Sequence, residues 1–348
     1  MQAMIVKEFR QMRRDRRTVA LMAGLPLLLL IVFGYAARFD VTEIDTALLG
    51  PGAVEMATTL DPVFNVVTVN ELAGADVGQD LLRNSEAGVV FVHTDSGQSM
   101  LIDGTELFMA QSALRRVPPG FQPNLLFNPN LDTAKVMVPA LIGLVLLFIG
   151  TVITSLGVVR EREQGTLEQL AVMPLRAVDV IVGKIAPYFV VALLDITIVT
   201  LAGLWLFDVP FKGSFPMFAL FSLTFIFVVL GLGVAISTVS KSQSEAIQLA
   251  IMLLLPQIML SGMIFPLESM SAEVRWIGYF LPLTWFVIGA RGILLKGTDP
   301  ATLLFPLGIL VLMAIVVFGI AVFRFHRDIA PKRSSNPTSP VSAAAVES

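Results

Sequence analysis

Six long apolar stretches constrain the fold of this chain more than any other feature. About 20 consecutive apolar residues are enough to cross the hydrocarbon core of a bilayer as a helix. Five of the stretches contain no charged residue, and the third contains one, Asp195. The stretches predict six transmembrane helices, at Val19–Ala37, Val136–Val159, Ile185–Phe207, Gly213–Ser240, Ala246–Leu267 and Pro300–Phe323.

The composition agrees with a membrane protein. Charged residues make up 15% of the 348-residue chain and hydrophobic residues 55%, whereas a soluble domain carries about 25% charged residues. The chain has no cysteine, which excludes disulfides and thiolate metal sites. His93 and His326 are too few for a histidine metal centre. We therefore expect no metal or cofactor in this chain.

The distribution of basic residues predicts the orientation. Lysines and arginines cluster in residues 1–18, 160–184 and 324–333, and cytoplasmic segments carry such an excess. The segment Arg38–Lys135 holds five basic and thirteen acidic residues, a net charge of −8, and falls outside. The chain is therefore predicted to be a multi-pass protein of the bacterial cytoplasmic (inner) membrane, with both termini cytoplasmic and an even number of crossings.

A seventh apolar stretch, Trp276–Leu295, is interrupted by Pro282 and Arg291. A seventh crossing would put the basic cluster after Phe323 outside, so we interpret Trp276–Leu295 as a broken or re-entrant segment on the outer face. Irregular backbone is tolerated at membrane depth where protein or a water-filled cavity covers it.

The predicted fold class is therefore a membrane all-α protein with one small α/β domain outside the membrane. Its parts are an amphipathic interfacial helix at 1–18, an uncleaved first span at 19–37, an extracytoplasmic α/β domain at 38–135, a transmembrane domain at 136–325 and a disordered cytoplasmic tail at 326–348. Within the α/β domain the pattern predicts strands at Val63–Val69, Gly88–His93 and Met100–Asp103, the last two forming a hairpin. It predicts helices at Thr46–Leu60, Asp76–Glu86 and Thr105–Arg116.

The cytoplasmic segment VREREQGTLEQLAVMPL, within a loop at 160–184, contains a predicted short helix. Thr166 and Gln169 have capping-box spacing after Gly165, and Pro174 ends the helix. Arg160, Glu161, Arg162 and Glu163 brace this helix, and Glu168 lies within it. A stiff element at the membrane edge can transmit a push from a partner, and an ordinary charged loop fits the same residues.

Asp195 is the one charged residue within the six predicted spans. A charged carboxylate inside the hydrocarbon core has a high free-energy cost. It marks either a functional group or an interhelical hydrogen bond. Gln248 and Gln257 of the fifth span are candidate partners, because their spacing puts them on roughly the same helix face. These three residues are the candidate substrate path.

The sequence contains no nucleotide site. Gly292 and Gly297 have the spacing of a phosphate-binding loop, but Thr298 stands where the lysine is required. Nor does any serine, histidine and carboxylate arrangement support hydrolysis. The energy source must therefore be a partner protein or an ion gradient, and a membrane-anchored sensor is a further alternative.

Several motifs in their order resemble the ABC-2 type permease family, the transmembrane half of type V ABC exporters, over about residues 4 to 325. They are KEFRQMRRDRRT followed by Leu25-Pro26, LIDGTELFMAQSAL, FNPNLDTAKVMVPALIG, VVREREQGTLEQLAVMPLRAVDVIVGKIAPY, ISTVSKSQSEA, LLLPQIMLSGMIFPLESM and LPLTWFVIGARGILLKG. The family often has Thr-Pro-Leu where this chain has Met173-Pro174-Leu175.

The resemblance implies a non-catalytic permease subunit that exports a hydrophobic or amphipathic, drug-, antibiotic- or lipid-like substrate. It implies that the loop matching Arg160–Leu175 docks on cytoplasmic ABC ATPase subunits, which carry ATP and Mg, and that residues 264–296 are re-entrant. It also implies a second permease copy. A homodimer and a heterodimer both fit, with or without a periplasmic adaptor, and no nucleic acid is expected.

Overall fold

The computed structural model describes residues 41, 43–94, 97–164 and 177–329. Several predictions lie outside the described residues: the interfacial helix at 1–18, the first span Val19–Ala37, residues 330–348 of the tail, and residues 165–176 of the predicted coupling loop. The described chain forms an α/β domain followed by a set of long helices.

A five-stranded sheet forms the centre of the α/β domain, called the external domain below. Its strands are β1 Ile44–Leu49, β2 Phe64–Asn70, β3 Val89–Thr94, β4 Gly97–Asp103 and β5 Phe121–Leu126, in the spatial order β2-β1-β3-β4-β5. β1 pairs parallel with β2 and β3, β3 and β4 form an antiparallel hairpin, and β4 pairs parallel with β5. The predicted hairpin is confirmed.

Three helices accompany the sheet, α1 Ala53–Met56, α2 Ala75–Arg83 and α3 Leu107–Leu114. Leu82 of α2 packs in a cluster with Leu49 and Val90, whereas Ala110 of α3 packs in a separate cluster with Leu48. Because successive strand residues point to opposite faces, α2 and α3 cover opposite faces of the sheet.

The helix predicted at Thr46–Leu60 is wrong. Ile44–Leu49 is strand β1, of which all residues but Asp45 are buried, and only the four residues of α1 are helical within that range. A strand covered on both faces is a continuous apolar run, which periodicity does not separate from a buried helix. β5 was missed because Pro123 interrupts its pattern, although an edge strand tolerates proline.

Five described helices are long and apolar enough to cross a membrane. They are α4 Thr133–Glu163, α5 Ala177–Leu206, α6 Phe215–Val239, α7 Gln243–Leu260 and α10 Pro300–Ile329. They correspond to the second to sixth predicted spans. Three of these helices, α4, α5 and α10, extend beyond the predicted apolar stretches. By contrast, α7 ends at Leu260 and not at Leu267, because Gly262 adopts a left-handed conformation with φ 78° and Pro266 follows.

The weak seventh stretch is broken, as predicted. It forms α8 Ala272–Tyr279, α9 Pro282–Arg291 and a π-helical turn, Gly292–Lys296. Pro282 occupies the first turn of α9, where its missing N–H costs nothing. Eight and ten residues are too short to cross a bilayer.

Close packing around α6 holds the long helices together. α6 packs against α4, α10, α9 and α5. Phe225 of α6 and Phe286 of α9 are fully buried and stack with ring centroids 4.5 Å apart. A Cβ at Gly289 of α9 would lie 2.3 Å from the Phe221 ring, so glycine is what allows these helices to approach.

Candidate coupling and transport site

Arg162 joins the end of α4 to the end of α6, on the side of the bundle opposite the external domain. Its Nη1 donates to the carbonyl oxygens of Ser237 and Ser240, each at 3.0 Å. The last carbonyl groups of a helix lack partners within the helix and carry partial negative charge. The guanidinium therefore caps α6 and fixes it to α4.

Glu163 joins the same end of α4 to the start of α7. Its carboxylate accepts from the backbone N–H of Gln243 at 3.1 Å and from the Gln243 Nε2 at 2.6 Å. Ser242 Oγ accepts from the Glu245 N–H at 3.3 Å, and the Glu245 carboxylate accepts from the Lys241 N–H at 2.7 Å. This capping box makes the turn between α6 and α7 a defined unit that Arg162 and Glu163 clamp together.

The four charged residues at the end of α4, which were predicted to act together, thus differ in their contacts and exposure. Arg162 and Glu163 hold the α6–α7 turn, Arg160 is exposed and Glu161 is half-buried. Four further predicted residues lie outside the described part of the chain: Gly165, Thr166, Glu168 and Pro174.

Asp195 lies midway along α5, where it is half-buried. Its Oδ2 is buried and has no hydrogen-bond partner among the described residues. An unpaired polar atom is costly in an apolar bundle. Asp195 therefore stays a candidate for a polar contact with a substrate, an ion or another chain.

Gln257 is placed differently from the other candidate path residues. Its side chain is 1% exposed, and its Oε1 accepts from the Leu283 N–H at 3.2 Å, in the first turn of α9. Gln248 of the same helix is half-buried. α4 packs against both α5 and α7, which make no extensive contact with each other. The fold therefore does not bring Asp195 and Gln257 together, and Gln257 caps α9.

Other polar atoms inside the helices were not predicted. Buried hydroxyl groups without a partner among the described residues belong to Thr151, Thr154, Thr200 and Ser222. The sequence signal for these hydroxyl groups was a set of isolated serines and threonines within the apolar stretches. They are common in membrane helices, so the sequence alone did not distinguish them.

Lys296 and Asp103 form a buried ion pair between the π turn and the external domain. Their Nζ and Oδ2 atoms are 2.5 Å apart, and the residues are 7% and 2% exposed. Lys296 Nζ also donates to Ser85 Oγ at 2.7 Å, and Asp103 Oδ1 accepts from Thr105 Oγ1 at 2.7 Å. The sequence signal was one charge in each of two apolar runs, but the two residues are 193 positions apart, so no local pattern predicts their pairing.

Arg291, at the end of α9, contacts three other segments. Its guanidinium donates to the carbonyl oxygens of Val136, Gly262 and Met263 at 3.3, 3.1 and 3.1 Å. Its Nη1 also lies 3.6 Å from a carboxylate oxygen of Glu106 in the external domain. One side chain therefore connects the start of α4, the loop after α7 and the external domain.

Three adjoining cavities surround these contacts, with volumes of about 180, 200 and 140 Å³. Glu106 and Pro266 line all three, and Arg291 lines the first two. Nearby, burial and then the positive charge of Arg83 lower the pKa of the Lys212 ammonium below its usual value. The outer cleft is thus concave, largely apolar and edged by charges of both signs.

No described group of three or more histidine, aspartate or glutamate side chains is arranged to hold a metal ion.

Comparisons with known proteins point to one family. The family model described as ABC-2 family transporter protein matches residues 16–323. The Escherichia coli K12 protein named probable multidrug ABC transporter permease YbhS is 27% identical over 362 residues, covering 93% of this chain and 96% of its own length. The protein named probable multidrug ABC transporter permease YbhR, from the same organism, is 29% identical over 84% of this chain and 89% of its own length. The E. coli protein named inner membrane transport permease YhhJ is 35% identical over 58% of this chain and 54% of its own length.

Proposed function

The chain belongs to the ABC-2 family of transporter proteins and is a membrane subunit of an ABC transporter, and from this premise we propose that it works as an exporter. The proposed substrate is hydrophobic or amphipathic and drug-, antibiotic- or lipid-like. The match over residues 16–323 is the observation that carries the proposal. Two relatives whose names say multidrug permease support the substrate class.

The energy for transport comes, in this proposal, from ABC ATPase subunits on the cytoplasmic side, which bind ATP and Mg. The docking element is the loop that begins at Arg160 and includes Gly165, Thr166, Glu168 and Pro174. The exposed side chain of Arg160 supports a contact there. The permease itself performs no catalysis.

The contacts of Arg162 and Glu163 at the end of α4, called the clamp below, offer a route by which force from the docked ATPase reaches the helices. Arg162 and Glu163 lie at the beginning of the proposed docking loop, and they hold the end of α6 and the start of α7. A displacement of the loop therefore moves the α6–α7 turn together with α4. Charge-assisted hydrogen bonds are about twice as strong as neutral ones, which suits a contact that transmits force.

The proposed path lies between two permease copies, lined by α4 and α7 of each. The polar groups assigned to it are half-buried Gln248 of α7 and Asp195, which lies on α5 beside α4 and has an oxygen without a partner among the described residues. A substrate shifts the conformational equilibrium only if it binds one state better than another. We therefore assign its tighter binding to the form that is open to the cytoplasm or the membrane.

The proposed topology has six spans, both termini in the cytoplasm of a bacterial cell and residues 264–296 re-entrant on the outer side. The described helices support it, since the turn between α5 and α6 meets the π turn beside the external domain. There the backbone N–H groups of Lys212 and Gly213 donate to the carbonyls of Leu294 and Ile293, at 3.2 and 2.8 Å.

Co-purification tests the proposed function directly. The tagged permease is isolated from native membranes in a mild detergent, and ATP hydrolysis is measured on the eluate. We expect an ATP-hydrolysing partner that is lost when Arg160 and Glu161 are both replaced by alanine. Asp80→Ala, on the exposed face of the external domain, is the control and should retain the partner. If no ATPase accompanies the wild-type protein in several detergents, the proposal is wrong.

A gradient-driven transporter is the second candidate, because Asp195 Oδ2 has no partner among the described residues. Protonation of a membrane carboxylate is a common basis of proton coupling. Transport into inverted vesicles separates the two candidates. Dependence on ATP with the gradient collapsed supports the ABC exporter, and dependence on the gradient with ATP absent supports the alternative.

A further inference from the structure

Residues 291–299 are the place where the outer parts of the molecule meet. Arg291 donates to carbonyl groups of the α4 start and of the loop after α7. Lys296 pairs with Asp103 of the external domain. The segment therefore contacts the external domain and the helix bundle at once.

Further hydrogen bonds reinforce the contact with the external domain. Thr298 Oγ1 donates to the carbonyl of Arg83 at 2.8 Å, and the N–H of Asp299 lies 3.5 Å from Asn84 Oδ1. Together with Ser85, these partners form the end of α2 and the turn that follows it. Three residues of the segment, Lys296, Thr298 and Asp299, thus hold one corner of the external domain.

The segment is also anchored in the bundle. Ile293, Leu294 and Leu295 are fully buried, and the carbonyls of Ile293 and Leu294 accept from the loop between α5 and α6. Gly297 adopts a left-handed conformation with φ 67° and has Lys212 atoms 3.3 Å from the position of a Cβ. Side chains and backbone therefore both resist independent movement of this segment.

The Lys296–Asp103 pair is buried too deeply to behave as a surface salt bridge. Exposed pairs are screened and contribute little, whereas separating a buried pair leaves a charge without compensation. Both carboxylate oxygens of Asp103 are engaged, one by Lys296 and the other by Thr105. Parting the two residues during transport would expose both charges to an environment that solvates them poorly.

We propose that residues 291–299 form a rigid joint that makes the external domain move as one body with α9 and the outer ends of the helices, and that Lys296 and Asp103 are its positioning residues. The inference deepens the proposed function and rests on it. A domain tied in this way does not open by itself as a loose cap. It is carried by the helices when the bundle changes state, and the outer cleft between them keeps its shape.

Distance measurements on the whole permease test the joint. The natural chain has no cysteine, so Gln122→Cys on the external domain and Ala301→Cys at the start of α10 take spin labels without background. We expect one narrow distance distribution in the wild type. We expect Lys296→Met to broaden it and to lower ATP-dependent transport about tenfold, while ATP hydrolysis by the complex changes less than about twofold; a tenfold change corresponds to about 1.4 kcal/mol.

Two further variants keep the outcome interpretable if Lys296→Met folds poorly. Thr298→Val removes one hydroxyl and its bond to Arg83, and should give a smaller broadening and a smaller loss of transport. The double variant Lys296→Met, Asp103→Leu removes both charges and should recover part of the transport, because a well-packed apolar pair can replace a buried ion pair. Asp80→Asn breaks the exposed 2.9 Å pair with Arg83 and is the matched control without effect.

The outcomes separate the two proposals. A narrow distribution in folded Lys296→Met, or normal transport by that variant, overturns the joint. If the wild type has no ATPase partner, the proposed function is wrong, and the distances measured on the permease alone still decide whether the joint is rigid.

Discussion

At the scale of single residues, a few charged side chains organise both ends of the helix bundle. Arg162 and Glu163 hold the α6–α7 turn, and Arg291 and Lys296 hold the side that carries the external domain. Each contacts backbone groups, a polar side chain or an opposite charge, and for the buried Arg291 and Lys296 burial requires such a partner. Charges are scarce in an apolar chain of this kind, so their partners identify where elements must stay together.

Glu163→Lys is predicted to uncouple ATP hydrolysis from transport. The change removes two hydrogen bonds from the start of α7 and places a positive charge at the positive end of that helix. We expect transport to fall about tenfold, with the partner still bound and ATP still hydrolysed, because α7 is no longer fixed to the end of α4. Both rates are measured in reconstituted vesicles.

Glu71→Lys, an equal charge change at an exposed position of the external domain, is the control and should leave both rates unchanged. Unchanged coupling in Glu163→Lys would show that the clamp at the end of α4 does not transmit force.

Gly289→Ala is predicted to destabilise the helix bundle. The new Cβ would lie 2.3 Å from the Phe221 ring, which is itself fully buried and cannot turn away freely. Overpacking of this kind costs about 1–3 kcal/mol. Gly308→Ala is the matched control, because a Cβ there meets nothing within 4 Å. Thermal unfolding in detergent should show a lower transition for the first variant, and equal transitions for the two would contradict the packing described here.

At the scale of elements, proline, glycine and one glutamine determine how α7, α8 and α9 follow one another. Gly262 allows the chain to leave α7, and Pro282 starts α9. Gln257 then accepts from an N–H in the first turn of α9, which would otherwise be buried without a partner. The short helices are therefore fixed to α7 by a side chain.

Gln257→Leu is predicted to loosen the start of α9. The Leu283 N–H loses its acceptor in a buried position, which costs about 1–3 kcal/mol. Gln248→Leu, at a half-buried site on the same helix, should change stability far less. Thermal unfolding of the two variants side by side measures the difference. If the two variants are equally stable and Gln257→Leu alone loses substrate binding, Gln257 contacts the substrate and does not serve mainly to cap α9.

At the scale of the whole molecule, one end of the bundle carries the external domain and the other carries the clamp, at the beginning of the proposed docking loop. These ends are separated by helices of 18 to 31 residues, long enough to span a bilayer. Among the described residues, the basic Arg160, Lys241 and Arg324 lie at the clamp's end, and the acidic external domain lies at the opposite end. Basic and acidic charge therefore lie at opposite ends of the described bundle, which supports the proposal that the clamp's end faces the cytoplasm.

Single-cysteine labelling tests this orientation in intact cells. Thr58→Cys on the external domain should react with a membrane-impermeant maleimide added outside, because it is exposed and on the predicted outer side. Gln164→Cys at the exposed end of α4 should react only after the membrane is permeabilised. The cysteine-free wild type is the control for background. Reversed labelling would invert the proposed topology.

The sequence by itself determined the apolar helices, their order and the break near Pro282, because bilayer thickness and the rigidity of proline act on local segments. It also indicated the β3–β4 hairpin, since period and turn residues are local signals. Strand β1 was not predicted, because burial on both faces removes the alternation of apolar and polar residues that identifies a strand.

Tertiary structure alone decided which polar residues meet. Lys296 pairs with Asp103, and Arg162 donates to carbonyl groups at the end of α6. Gln257 accepts from an N–H of α9 and does not contact Asp195. Such partners are distant in the chain, and no local periodicity records them. They are selected when the fold buries a charge or a backbone group and some other element must satisfy it.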